Sequence, residues 1–567
     1  MKMRALLLFF SAAVLAAAQD SAPPPAAAHG AQAAPRSTIR FEDATQSSGI
    51  HFKHSFGSAK LSSLLEGTGA GCVWFDYDNS GRESLFVVNG RPLDAGMTPN
   101  PLKVVPNPPP HAHLYRNDGN GQFTDVTAES GLDPDMYGIA VTAADYDNDG
   151  HEDLLVTGYG KVVLYHNDGN GHFTDVSAKG GINVNGWAIS STWLDYDRDG
   201  CVDLFVGRYV KFDPTYRAFY AAENYPGPLD YGGETNILFH NNCNGTFSDV
   251  SKTSGIGAYI GRTMGVTAAD FDNDGWDDIY VTNDSVQNFL FHNNRNGTFT
   301  EIASDTGAAY GQNGEATSSM GPVAADIWNR GVLDLWVTDG SFNRLLKNLG
   351  APQPGADAPK AQWEGFDDAT AAAGISQTDA QYVSWGSGVY DFDNDGLLDI
   401  LVFHGGLIHM IPQEHTLFRG SGNGRFADVS EQAGQVLNAR TVARGACFAD
   451  YDNDGKVEAY VVNLGAEGTL LHNVSSDTGH WLEVKLAGTK SNRDGIGARI
   501  EVVAGGERQT AERVASSGYL SQNDGRVHFG LGTATSIDKL IVRWPSGTQQ
   551  TLANQPVDRV LTIEEPK

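Results

Sequence analysis

One phrase recurs along this chain and limits what it can fold into. The pattern D-x-D-x-D-G-x-x-D, with an apolar run on either side, has five full copies: Asp145–Asp153, Asp195–Asp203, Asp270–Asp278, Asp391–Asp399 and Asp450–Glu458. Two degenerate copies fill the gaps between them. Asp76–Ser84 keeps the first two acids and the glycine, and Asp326–Asp334 keeps only its two ends and Gly331. A second phrase, L-[YF]-x-N-x-x-[GN]-G-x-F-[TS]-[DE]-[VI], follows at some distance, as in Leu114–Val126, Leu164–Val176, Leu238–Val250 and Leu290–Ile302. Phe418–Val429 is a looser copy, and Leu345 to Phe366 keeps the same ends around a longer insert. Self-similarity at a regular spacing is the mark of a repeat architecture.

The second phrase alternates apolar and polar residues around an Asn/Gly turn, so it predicts a β-hairpin. One repeat then reads strand A, acidic loop, strand B, connection, strand C, tight turn, strand D. Four strands in roughly fifty to seventy-five residues is the size of a propeller blade. The predicted fold class is all-β: a seven-bladed β-propeller followed by a small C-terminal β-sandwich-like domain. The last repeat stops after strand C, near Thr469–Asn473, while a lone D-type phrase stands at Ile39–Ala44. That segment is expected to complete the last blade, which removes two exposed sheet edges.

Lys2 and Arg4 precede the apolar run Ala5–Ala17 and the small residues Ala16, Ala17 and Ala18. Residues 1–18 thus read as a Sec-type signal peptide, and 19–38, rich in Ala and Pro, as a linker. The propeller is expected over 39–478 and the second β domain over 479–567. No later segment approaches eighteen consecutive apolar residues, so no membrane span is expected in the mature chain. The expected location is secreted or periplasmic. Acidic residues outnumber basic ones 69 to 39, a net charge of -30, which argues against a nucleic-acid partner or an anionic membrane surface. It agrees with bound cations that a residue count does not see.

The acidic loops themselves ask for such a cation. Carboxylates at positions 1, 3 and 5 of a tight loop converge, the glycine at position 6 permits the turn, and a position-9 acid completes an oxygen cage. Four like charges in one loop repel unless a cation sits among them. All-oxygen ligation in a flexible loop predicts Ca²⁺. The expected ligands are Asp145, Asp147, Asp149 and Asp153; Asp195, Asp197, Asp199 and Asp203; Asp270, Asp272, Asp274 and Asp278; Asp391, Asp393, Asp395 and Asp399; and Asp450, Asp452, Asp454 and Glu458. The first loop, with Ser80 and Ser84 in place of acids, leaves a weak site at Asp76 and Asp78. The fifth, with Trp328 and Arg330, is expected to hold none.

The four cysteines divide into two pairs. Cys201 lies in the third acidic loop and Cys243 in the C–D turn of the same repeat, so a disulfide is expected between them. Cys72 and Cys447 lie in A strands and are expected as buried free thiols. The acidic loops and the B–C connections fall on opposite faces of a blade. One long B–C insertion carries Tyr209, Tyr216, Phe219, Tyr220, Tyr225 and Tyr231, a candidate ligand surface. The competing reading of these aromatics is that they bury one another.

The loops together with the F-x-D-V hairpins resemble the FG-GAP/VCBS-type propeller repeats of integrin α-subunits and many secreted bacterial proteins. Asp494–Val503, Ser517–Gln522, His528–Gly532 and Val542–Gln549 resemble the ASPIC/UnbV domain. Propeller followed by this domain is similar to the arrangement in the cartilage acidic protein 1-like family. The resemblance implies a secreted, calcium-binding protein of adhesion or interaction, and it supplies no catalytic residues. The function expected is an extracellular scaffold that binds an unidentified protein or glycan. The alternative is an extracytoplasmic carbohydrate-active enzyme using the propeller face opposite the calcium loops, with Glu223 and Asp230 as its weak candidate pair. No G-x-S-x-G elbow, H-E-x-x-H or P-loop is present to support it.

Overall fold

The computed structural model of the protein describes residues 39–58, 61–92, 109–216, 225–350, 363–375, 381–407 and 410–567. The expected signal peptide and linker lie outside the described residues, as do Phe219, Tyr220 and Glu223. All described residues belong to one compact unit.

The chain is all-β. Seven four-stranded antiparallel sheets carry the repeats. Sheet one is Cys72–Phe75, Ser84–Val87, His113–Gly119 and Gln122–Asp125; sheet two is Tyr137–Ala144, Asp153–Tyr159, Val162–Asn167 and Phe173–Asp175. Sheet three is Ala188–Leu194, Asp203–Arg208, Ile237–Asn241 and Phe247–Asp249; sheet four is Thr263–Ala269, Asp278–Asn283, Phe289–Asn293 and Phe299–Glu301. Sheet five is Ser319–Ala325, Asp334–Asp339, Arg344–Asn348 and Phe366–Asp368; sheet six is Ser384–Tyr390, Asp399–His404, Thr416–Gly420 and Phe426–Asp428. Sheet seven is Ala443–Ala449, Glu458–Asn463 and Thr469–Asn473, with Phe41–Asp43 paired antiparallel to its third strand.

The first strand of each sheet packs on the first strand of the next, from sheet one round to sheet seven and back to one. The sheets form a propeller with these strands at the axis. Their residues are buried on both faces, as along Tyr137–Ala144, so they read as continuous apolar and small residues without alternation. Crowding at the axis selects the small ones. A Cβ on Gly265 would lie 2.2 Å from the Met320 carbonyl oxygen. Between neighbouring sheets the larger side chains form the core, as where Leu194, Phe205, Val266, Ile279 and Phe291 meet between sheets three and four.

The C-terminal segment is a two-layer sandwich. One layer orders Val527–Gly532, His480–Ala487 and Arg559–Glu564, the last two parallel; the other orders Glu507–Glu512, Arg499–Ala504, Ile537–Arg543 and Gln549–Gln555. Leu482, Val484, Ile500, Phe529, Leu540 and Val542 fill the space between them. This domain sits against the acidic-loop face. Lys485 pairs with Asp76, Asp494 accepts the Asp145 amide, Glu512 accepts the Asp270 amide, and Arg526 donates to the Asp450 carbonyl.

One loop of the sandwich enters the axis. The Gly518 amide donates to the Pro322 carbonyl, Gln522 exchanges two side-chain bonds with the backbone of Ala143, and Ser521 accepts the Cys72 amide. Tyr519, fully buried, packs its ring at a tilt against Trp385 and donates to the Thr68 carbonyl. The first strands are sheet edges whose backbone groups need partners, and this loop supplies them.

Candidate metal centre

Each acidic loop is built by its own backbone. In the second, the position-1 carboxylate of Asp145 accepts the amides of Asp149 and Gly150 at 2.9 and 2.7 Å, and Asp149 accepts that of His151. Asp153 at position 9 accepts the Tyr146 amide and, across the sheet, the Asn167 amide. Gly150 has φ +93°, a conformation only glycine takes without strain, and the same glycine recurs at Gly200, Gly275, Gly396 and Gly455. The fold therefore gathers the position-1, -3 and -5 acids Asp145, Asp147 and Asp149 with their ligand atoms within 4.8 Å of one another.

These groups carry charge at a cost. Burial pushes Asp145, Asp195 and Asp270 up to about 8, and Asp450 to about 7, with neighbouring loop acids adding to it. The buried oxygens Asp195 Oδ1, Asp197 Oδ1, Asp278 Oδ2 and Asp452 Oδ1 accept no hydrogen bond. An orphaned carboxylate oxygen in a buried loop is what an oxygen-seeking cation satisfies. Loops three, four and seven offer such oxygens, and loop two fits through its gathered acids Asp145, Asp147 and Asp149.

Sequence reasoning missed one participant. The strand-C residue before the asparagine that recurs among the repeats reaches back to the loop. His166 Nδ1 lies 3.4 Å from Asp147 and 3.3 Å from Asp153, and His240 lies 3.4 and 3.2 Å from Asp197 and Asp203. His292 and His472 face their loops in the same way. The adjacent position-9 acid raises His166 and His240 to about 9, so without a metal an imidazolium balances part of the loop charge. The signal was available: this is the variable third place in L-[YF]-x-N.

The other loops carry protein cations. In the first, the Lys485 ammonium sits 2.9 Å from Asp76. In the fifth, Arg330 reaches Asp334 at 2.8 Å. In the sixth, Arg419 contacts Asp393 at 2.6 Å and Asp395 at 3.0 Å, while Asp391 and Asp399 are driven well above the usual carboxylate range by burial.

A ring of hydrogen bonds joins the seven loops. The position-4 side chain, held at positive φ, donates to the position-6 glycine carbonyl of the next loop: Asn79 to Gly150, Asn148 to Gly200, Arg198 to Gly275, Asn273 to Gly331, Asn329 to Gly396, Asn394 to Gly455, and Asn453 back to Gly81. Asparagine tolerates this left-handed conformation and so fits the position.

Cys201 and Cys243 form a disulfide with Cα atoms 5.8 Å apart. Cys72 and Cys447 are free and buried. The candidate tyrosine surface needs correction. Tyr209 and Tyr231 are 1% and 7% exposed, inside an apolar cluster with Trp187 and Met264, and the Tyr209 hydroxyl bonds Asp284 at 2.6 Å. Tyr225 is half-buried, with its hydroxyl over Gly67. Among the described aromatics of this surface, Tyr216 alone offers an open ring, packed edge-on against Tyr231. The described part of the insertion folds onto the propeller, where Tyr209 and Tyr231 pack with the first-strand residues Ile139 and Ile189. Asp230 accepts the Gly227 amide in a turn of that insertion.

The FG-GAP-like repeat matches residues 103–156, 145–206, 229–281, 270–337 and 391–461, each stretch containing at least one acidic loop. The chain belongs to the FG-GAP-like repeat family. The ASPIC and UnbV family matches residues 488–567, most of the sandwich that covers the FG-GAP-like loops. This FG-GAP-like repeat protein is 26% identical to cartilage acidic protein 1 of Mus musculus over 335 residues, 56% of this chain and 47% of that protein. It is 25% identical to cartilage acidic protein 1 of Homo sapiens over 334 residues, 56% of this chain and 46% of that one. The chain thus spans about half the length of the relatives it matches. Among solved structures, an Agrocybe aegerita lectin in a study of recognition of non-reducing terminal N-acetylglucosamine aligns at TM-score 0.36 and 15% identity, over 70% of this chain and 86% of that one. That likeness is too loose to bear on function.

Proposed function

We propose that this FG-GAP-like protein is an extracytoplasmic, calcium-loaded scaffold that binds a protein or glycan partner through the propeller face opposite its acidic loops. The observation that carries the reading is the distribution of exposed apolar side chains. Among the described residues, Tyr216, Leu229, Ile260, Tyr310, Phe342, Leu407 and Ile411 are all exposed and all lie in B–C or D–A connections, on sheets three to six. Leu349 alone among the exposed large apolar residues lies elsewhere. The loop face is meanwhile covered by the ASPIC and UnbV sandwich. Apolar groups gathered on one open face mark a contact surface.

The orphaned carboxylate oxygens support calcium as the loop ion, and its role on this reading is structural. Each site filled at ten times its dissociation constant adds about 1.4 kcal/mol. The Cys201–Cys243 disulfide supports an oxidising compartment outside the cytoplasm.

The test has two arms. Melting in millimolar Ca²⁺ and in EGTA, with bound metal counted by elemental analysis, addresses the ion; equal melting temperatures and no bound calcium would remove it. Arrays of matrix glycans and extracellular proteins, probed with wild type and a Leu229→Asp, Phe342→Asp, Ile411→Asp variant, address the surface. Loss of binding at an unchanged melting temperature supports the reading, and undiminished binding by the variant refutes it.

A further inference from the structure

We propose that the sixth acidic loop, although it keeps every acid, holds no calcium because Arg419 takes the place of the ion, so that the protein binds four calcium ions per chain and not five. The inference rests on the calcium reading of loops two, three, four and seven.

Arg419 differs in kind from the histidines. Its guanidinium bridges the position-3 and position-5 carboxylates, Asp393 and Asp395, from a side chain only 17% exposed. A guanidinium does not release its proton, so a full positive charge stays where a dication would have to enter. His166, His240, His292 and His472 approach the position-3 and position-9 acids of their loops, and none of them pairs with the position-5 carboxylate. Arg295 and Lys456, in the fourth and seventh loops, are different again. Each holds a single position-5 carboxylate, Asp274 or Asp454, and neither pairs with the position-3 acid of its loop, Asp272 or Asp452.

The repeat pattern supports the same division independently. The strand-C residue that faces the loop is His166, His240, His292 and His472 in repeats two, three, four and seven. In the repeats whose loops have lost acids it is Arg116 and Lys347. The sixth repeat has Arg419 and so sorts with the loops that lack a complete acid set. The next residue departs as well. Asn117, Asn167, Asn241, Asn293, Asn348 and Asn473 each donate to a backbone carbonyl in the loop of the preceding sheet, whereas Gly420 stands at that place in sheet six. Lys485, Arg330 and Arg419 then neutralise three loops from within the chain, and calcium neutralises four.

The test counts calcium on the intact protein by elemental analysis and by calorimetric titration, at one fixed free-calcium concentration. Wild type is expected to bind four ions. Arg419→His, which installs the residue of the four metal loops, is expected to bind five. Asp393→Asn should leave the count at four, while Asp147→Asn lowers it to three. Five ions on wild type, four on Arg419→His, or a drop on Asp393→Asn would each overturn the proposal. No calcium on wild type would overturn the calcium reading itself, and the inference with it.

Discussion

Arg526 is where the loss of one side chain should be felt most. It belongs to the sandwich, is 7% exposed, and reaches into the loop face. Its guanidinium lies 3.0 Å from Glu483, 2.5 Å from Asp524 and 3.5 Å from Glu83 of the first propeller loop, and it donates to the Asp450 carbonyl at 2.7 Å. Burial already drives Glu483 and Glu83 well above the usual carboxylate range. Arg526→Met keeps the volume and removes the charge, leaving Glu483, Asp524 and Glu83 facing one another with only the Lys485 ammonium acting on Glu83. Breaking a buried ion pair by removing one partner costs about 3–5 kcal/mol, a large part of the stability of a domain. The stranded acids can take up protons instead, so the loss should be largest at pH 8 and smaller at pH 5. Urea unfolding in millimolar Ca²⁺, followed by tryptophan fluorescence at both pH values, measures it. A loss below about 1 kcal/mol at pH 8 would refute the argument that this cation holds the two domains together.

Other outcomes follow from the same geometry. Cys201→Ser with Cys243→Ser opens a loop of 42 residues and should lower stability by about 4 kcal/mol in chemical denaturation. Gln522→Ala strands the amide and carbonyl of Ala143 at the axis, a cost of about 1–3 kcal/mol that thermal melting will register. The metal-free protein should lose stability as pH rises. Asp145, Asp195 and Asp270 titrate near 8 when folded against 3.8 as free side chains, so the folded state holds the extra protons and their contribution fades through that window. Melting in EGTA from pH 5 to pH 8 should fall steadily, and calcium should flatten the trend; a rise in EGTA would contradict the burial argument.

The β-fold was legible because each repeat writes its turns in residues with few alternatives. Gly150 and its counterparts must adopt positive φ, and the hairpin phrase alternates as a half-buried strand does. The sandwich was legible where its strands are apolar, as at Ile537–Arg543. Glu507–Glu512 and Gln549–Gln555 were not, because these outer strands are mostly polar and carry no apolar run. The docking of the sandwich was invisible for a deeper reason. Gln522 and Ala143 are 379 positions apart, and nothing local in either segment specifies the other. The tyrosine insertion misled because exposure is not written in composition: Tyr209 and Tyr216 look alike in sequence, and only one is covered. The loop histidines could have been found by asking which residue types vary with the completeness of the acid set.

The pairing of Phe41–Asp43 with Thr469–Asn473 has a consequence for the order of events during synthesis. The Leu470 amide donates to the Thr45 hydroxyl across 425 positions, so Phe41–Asp43 must wait for nearly all of the propeller to be synthesised before it finds its neighbour. Until then sheet seven lacks a strand, and the earlier segment presents an unpaired edge to every nascent chain nearby. Maturation of this protein should therefore be slow, concentration-sensitive and dependent on holdase chaperones, with exchange of the first strand between two copies as its characteristic error.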